Sequence, residues 1–209
     1  MSHADAAAMP APGRAMTGMG VYNVKLGMWV FLLSEVMFFS SLIGAYIVLR
    51  FASPDHWAEP GQVLNVPLTA FNTFMLICSS VTMVKAFAAI EHGDQTGLRR
   101  WLLATIVLGA AFVGIQVIEY LELWGHGFRP VAADYTAGGG PLYGTTFYTM
   151  TGFHGAHVTI GVLCLMFTAW KAFRGKYDET NYGGVEIMGL YWHFVDLVWI
   201  ILFTIVYLI

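Results

Sequence analysis

Charge is what this chain has least of: 11% of its 209 residues are Asp, Glu, Lys or Arg, against about 25% in soluble domains. With 57% hydrophobic residues beside it, that deficit excludes a soluble globule and points to a polytopic membrane protein. Cysteine is equally scarce. Cys78 and Cys164 both fall in apolar runs, so they make neither a disulfide framework nor a thiolate zinc site, and read as small buried hydrophobes. The net charge of −3 is spread along the chain, which leaves no footprint for nucleic acid. The first 20 residues lack the unbroken apolar stretch of about 7–15 residues that a secretory signal needs, because Pro10, Pro12 and Arg14 interrupt it. Residues 1–24 therefore read as a flexible tail. No internal repeat is visible, so the duplication common in secondary transporters has no support. Also missing are a Cys-x-x-Cys-His, a P-loop and a nucleophile elbow.

What the chain has in quantity is long apolar runs. A membrane helix needs about 20 such residues, and five stretches qualify: 26–49, 67–90, 101–124, 145–172 and 187–209. The expected fold is all-α, a bundle of five transmembrane helices spanning residues 25–209. Between the spans lie a Pro- and Gly-bearing loop over 51–66 with Trp57 as an interfacial anchor, a polar turn over 91–100, a glycine-rich loop over 125–144, and a basic-to-acidic loop over 173–186. One side collects Arg14, Lys25, Lys85, Arg99, Arg100, Lys171, Arg174 and Lys176; the other has Arg50 and Arg129. By the positive-inside rule the amino terminus is inside and the carboxyl terminus outside.

Polar groups inside the spans are the candidate site. Glu35 lies ten residues past Lys25, roughly 15 Å along the axis. An acid at that depth is costly unless paired, protonated or facing a wet interior, and so marks a functional candidate. In the fourth span Thr151, His154, His157, Gly161, Cys164 and Thr168 fall on one stripe, and in the fifth Gly189, His193, Asp196 and Tyr207 align. By depth, Glu35, His154, His157, His193 and Asp196 are expected to share a central polar layer. Glu119 lies 19 residues beyond Arg100, roughly 28 Å on, so its carboxylate is expected to reach the outer interface. The small pairs Ala110/Gly114 and Gly152/Ala156 are expected to admit close helix approach. Gly27, Ser34, Ser41 and Ala45 run about a quarter-turn from Glu35, which sets Glu35 at the edge of a helix contact.

Each of these groups has a plainer structural reading. The histidines serve as inter-helix hydrogen-bond partners, Asp196 as a buried pair with His193, and Glu35 as a neutral acid bonded to a neighbouring helix. His154, His157 and His193 are numerically enough for a catalytic zinc. Histidines three apart cannot clasp a haem from both faces, however, and the Glu-x-x-His pattern of bundle di-iron sites is absent. The residues alone show no complete catalytic site. A stand-alone membrane metalloenzyme on the three histidines and a proton transporter on Glu35 are the competing classes.

LSEVMFF in the first span, FNTFMLICSS in the second, IQVIEYLE in the third, TGFHGAHVTIG in the fourth and GLYWHFVDLVWIILFTIVYL in the fifth resemble subunit III of haem-copper cytochrome c oxidase. They occur in that family's order and cover about 190 residues. The resemblance implies a non-redox integral subunit of a proton-pumping oxidase in a bacterial inner membrane. It implies no cofactor bound by this chain, haem and copper in partner subunits I and II, and main contact with subunit I. It further implies structural phospholipid, and a part in sustained turnover and proton uptake. Glu35 matches the family's membrane carboxylate that reacts with hydrophobic carbodiimides. His154, His157, His193, Asp196 and Glu119 match positions expected to be structural or adjacent to lipid or another subunit. The chain departs from the seven-span members in lacking their first two helices. Five-span relatives occur among cytochrome c and quinol oxidases and beside nitric oxide reductases, and the motifs separate these poorly.

Overall fold

The computed structural model describes residues 23–53, 57, 63–130 and 141–208. The tail expected over residues 1–24 lies outside the described residues up to 22. Five helices follow in order: α1 (Asn23–Ala52), α2 (Val66–Glu91), α3 (Gln95–Gly125), α4 (Pro141–Phe173) and α5 (Gly183–Phe203), the last continued by a π-helical turn, Thr204–Leu208. Each is long and apolar enough to cross a bilayer. The expected spans are all present, and the helices extend beyond most of their boundaries.

Local chemistry explains the extensions. Residues 91–100 are not one polar turn, because Asp94 caps a new helix and its side chain accepts from Gly97 N at 2.8 Å, satisfying an orphan amide of the first turn. The connection shrinks to residues 92–94, with Gly93 at φ 72° reversing the chain as only glycine does without strain. A three-residue link forces α2 and α3 to lie antiparallel and adjacent. Asn65 caps α2 in the same way, accepting from Leu68 N at 3.2 Å, with Pro67 in the first turn, where a missing N–H costs nothing. Likewise the glycine-rich stretch stops short of 144, since α4 already starts at Pro141.

α5 is the centre of the bundle. It packs on α1, α2 and α4, while α2 packs on α3, α3 on α4 and α4 on α1. Two indoles on α5, seven residues apart and so on one face, key it to α2. Trp192 Nε1 donates to Ser79 Oγ at 2.9 Å, and Trp199 Nε1 donates to Thr73 Oγ1 at 2.9 Å. The Trp192 ring seats where Gly109 and Gly161 leave room: a Cβ at Gly109 would come within 2.6 Å of Trp192 Cη2, and one at Gly161 within 2.9 Å of its Cζ3. Close approach is thus spent on an indole. Of the expected small pairs, Gly114 has nothing within 4 Å of a would-be Cβ, and Gly152 has only the Tyr120 hydroxyl, at 4.0 Å.

α1 is the outlying helix. Its buried residues are Leu32, Phe39 and Tyr46, a single line repeating every seven. An ion pair between Lys25 and Glu186 ties its start to the start of α5. At that end of the bundle, cations lie over aromatic rings: Lys85 Nζ is 4.5 Å from the Trp101 centroid, and the Arg174 guanidinium is 4.0 Å from that of Trp170. Long cationic stems over aromatic belts suit a membrane boundary.

Candidate functional site

Glu35 follows Leu32 by one turn, so it sits beside the buried seam of α1 and faces α4. There His157 is aimed by its own helix: its Nδ1–H donates to the Phe153 carbonyl at 2.7 Å. Nε2 is left to meet Glu35 Oε2 at 3.1 Å. Because Nδ1 keeps its hydrogen for a carbonyl, the Oε2···Nε2 contact is a hydrogen bond only if a proton lies between the two atoms. A proton there would make the pair carboxylic acid with imidazole or carboxylate with imidazolium. Phe38 and Phe39 flank the imidazole, with ring centroids 6.4 and 5.2 Å away, and Tyr191 donates to the His157 carbonyl at 2.9 Å. The two side chains remain 17–18% exposed. They line a groove of about 490 Å³ with Phe31, Ile160, Cys164 and Tyr191.

The other members of the expected central layer are placed elsewhere. His154 is fully buried. Its Nε2–H donates to the Val195 carbonyl at 3.1 Å, and its ring leans on Trp199 with centroids 4.7 Å apart. One turn separates His154 from His157, yet a three-residue step turns the helix face by about 60°, enough to send one ring to α5 and the other to α1. His193 and Asp196 do not pair directly. Ser80 stands near both, with Oγ 2.6 Å from His193 Nδ1. Instead of one layer there are three separate polar sites. Among the described residues, no three His, Cys, Asp or Glu side chains gather as a metal set, so the geometry that a zinc on His154, His157 and His193 requires is not present in these residues.

Glu119 corrects the sequence reading. Its depth is as expected, at the end away from the basic cluster, but its carboxylate does not reach the interface and is only 3% exposed. Thr69 Oγ1 donates to Oε1 at 2.9 Å and the Tyr207 hydroxyl donates to the same oxygen at 3.2 Å. The first turn of α2 and the π-helical turn after α5 close over it. Beside it lies a second network that the sequence reading did not assemble. Gln116 Nε2 donates to the Thr151 carbonyl at 3.0 Å, and the Tyr120 hydroxyl meets Thr151 Oγ1 at 2.6 Å. The signals that could have found these contacts are the tyrosines and tryptophans within the spans, because a phenol or indole in hydrocarbon must find a partner.

Comparison with known proteins gives one consistent result. The family model described as Cytochrome c oxidase subunit III matches residues 14–209. The chain is 40% identical over 184 residues to cytochrome c oxidase subunit 3 of Thermostichus vulcanus, covering 88% of this chain and 86% of that one. It is 37% identical over 199 residues to the subunit 3 of a Synechocystis species, covering 94% and 81%. With the subunit 3 of Corynebacterium diphtheriae the identity is 37% over 203 residues, covering 96% and 95%.

Proposed function

The chain belongs to the cytochrome c oxidase subunit III family, and from that premise we propose that it is the non-redox subunit III of a proton-pumping haem-copper oxidase in a bacterial cytoplasmic membrane. In this reading, electrons from cytochrome c reach oxygen through haem and copper held by partner subunits. This chain packs beside subunit I and supports sustained turnover and proton uptake there. The observation that carries the reading is the position of the Glu35–His157 pair. It sets an acid against an imidazole at mid-membrane depth on the seam between an outlying helix and the bundle, facing a groove. A group placed there can exchange its proton with the surroundings of a neighbouring subunit. One sealed in the core could not.

Phospholipid binding belongs to the same proposal. At the basic end Lys171, Arg174 and Lys176 line a cavity of about 380 Å³ together with Tyr177. That cavity shares Gly184 with the groove that continues past Met188 and Ile160 to Glu35. Cations at the mouth suit a phosphate, and the apolar groove behind suits an acyl chain. With the amino terminus inside, the mouth lies at the cytoplasmic surface, as the positive-inside rule requires. The test is purification of the tagged chain in mild detergent from its native membrane. Co-purification of haem-bearing subunits with phospholipid is expected; recovery as a solitary stable monomer contradicts the reading.

A further inference from the structure

Around α5 the helices form an open ring. α1, α4, α3 and α2 follow one another in contact, and among the described residues no comparable contact joins α2 back to α1. The gap is a trough floored by α5. On the α1 side it holds a groove of about 550 Å³ between Trp29, Leu33 and Val36 and the α5 residues Phe194 and Leu197. On the α2 side a smaller groove of about 230 Å³ runs past Val84 and Phe87. Both grooves are lined by Leu190 and His193. Glu186, paired with Lys25, also lines the smaller groove; the walls and floor are otherwise apolar, with Trp29, Leu33, Val84 and Leu197 each more than half exposed.

The polar side chain common to both grooves is His193. His193 Nδ1 is taken by Ser80, and among the described residues nothing hydrogen-bonds Nε2. Behind it, Asp196 is 7% exposed and its Oδ1 has no partner. In either sense of the Ser80–His193 hydrogen bond, Nε2 is left without a partner in a side chain that lines the trough. His193 is the eleventh residue of α5, roughly 15 Å from its start and thus deep in the hydrocarbon layer. Acyl chains carry neither donor nor acceptor at that depth. A helix about 10 Å across fits a slot between two helices that both rest on a third.

We propose that the trough between α1 and α2 seats one transmembrane helix of a partner subunit, an apolar helix that carries a hydrogen-bonding side chain, a hydroxyl or amide, opposite His193. Such a helix completes the ring around α5 and satisfies Nε2, in the way polar side chains join helices in membranes. The inference rests on the chain's place in a larger oxidase and specifies the surface by which it docks there.

The test uses the intact complex with Leu197 replaced by the photoreactive p-benzoylphenylalanine, and the same replacement at Leu163 on the outer face of α4 as a control. After irradiation, peptide mapping is expected to show an adduct between position 197 and a membrane helix of another subunit, and only lipid adducts at 163. Lipid adducts alone at 197 in a complex that retains its partners overturn the proposal, as does an adduct to a second copy of this chain. If no partner co-purifies, the subunit reading itself has failed, and the two failures are distinguished. As a second measurement, His193→Leu is expected to raise detergent-induced loss of the chain from the complex by roughly three- to fifteen-fold, the range for one interhelical hydrogen bond. Unchanged retention contradicts the assigned contact.

Discussion

Glu35 and Glu119 are two carboxylates in the same apolar bundle with opposite settings. Glu119 is enclosed beneath the first turn of α2 and the π-helical turn after α5, and accepts from two hydroxyls. Glu35 is a partly exposed acid at the edge of an outlying helix, set against one imidazole and facing a groove. The contrast separates a group whose loss injures the fold from one whose loss alters what the fold does for a neighbour. The histidines repeat the contrast: His154 is locked in the core, and His157 is set against the groove.

The largest expected effect is on the locked side. His154→Ala removes a ring packed against Trp199 and the hydrogen bond it adds at the Val195 carbonyl, and should destabilise the bundle by about 3 kcal/mol. Denaturant titration in mild micelles measures it, and an unchanged midpoint would contradict the packing role. Glu119→Leu should cost about 2 kcal/mol by orphaning the Tyr207 hydroxyl and leaving Thr69 only the Asn65 carbonyl, whereas Glu119→Gln, which keeps an acceptor, should cost under about 1 kcal/mol. Equal losses in the two variants would mean that charge rather than acceptance holds the contact. Tyr207→Phe removes one of the two donors and should cost about 1 kcal/mol in the same titration; a loss as great as that of Glu119→Leu would sink the two-donor account. Smallest of all, Glu35→Gln should change stability by about 0.5 kcal/mol or less and leave assembly intact, while shortening the active lifetime of the oxidase or slowing its proton uptake. Collapse of the complex in that variant would make Glu35 a structural residue.

Much of the fold could be read from the sequence, because membrane helices announce themselves by length and composition. Boundaries were less legible: capping by Asp94 turned half of an apparent polar turn into helix. Helix-face arithmetic located the polar groups by depth and face but could not say which neighbour each face meets. Hence Glu35 and His157 were expected in one layer, and the structure joins them; His154 was expected beside them, and a 60° difference in direction removes it. Depth also placed Glu119 at the end away from the basic cluster, where the structure has it. Its enclosure depended on Thr69 and Tyr207, residues 50 and 88 positions away, a coincidence no local pattern encodes. The glycines tell the same story. Gly109 and Gly161 matter through the Trp192 ring, and the spacing of small residues alone pointed instead to Gly114, which touches nothing.

The central claim is that one carboxylate is reachable from the membrane and the other is sealed. Labelling the intact complex with a hydrophobic carbodiimide, followed by peptide mass spectrometry, tests it most directly. Modification of Glu35 at least about tenfold faster than that of Glu119 is expected, since about 1.4 kcal/mol of added protection already suffices for that ratio. Equal labelling of the two, or labelling of Glu119 alone, would contradict the account.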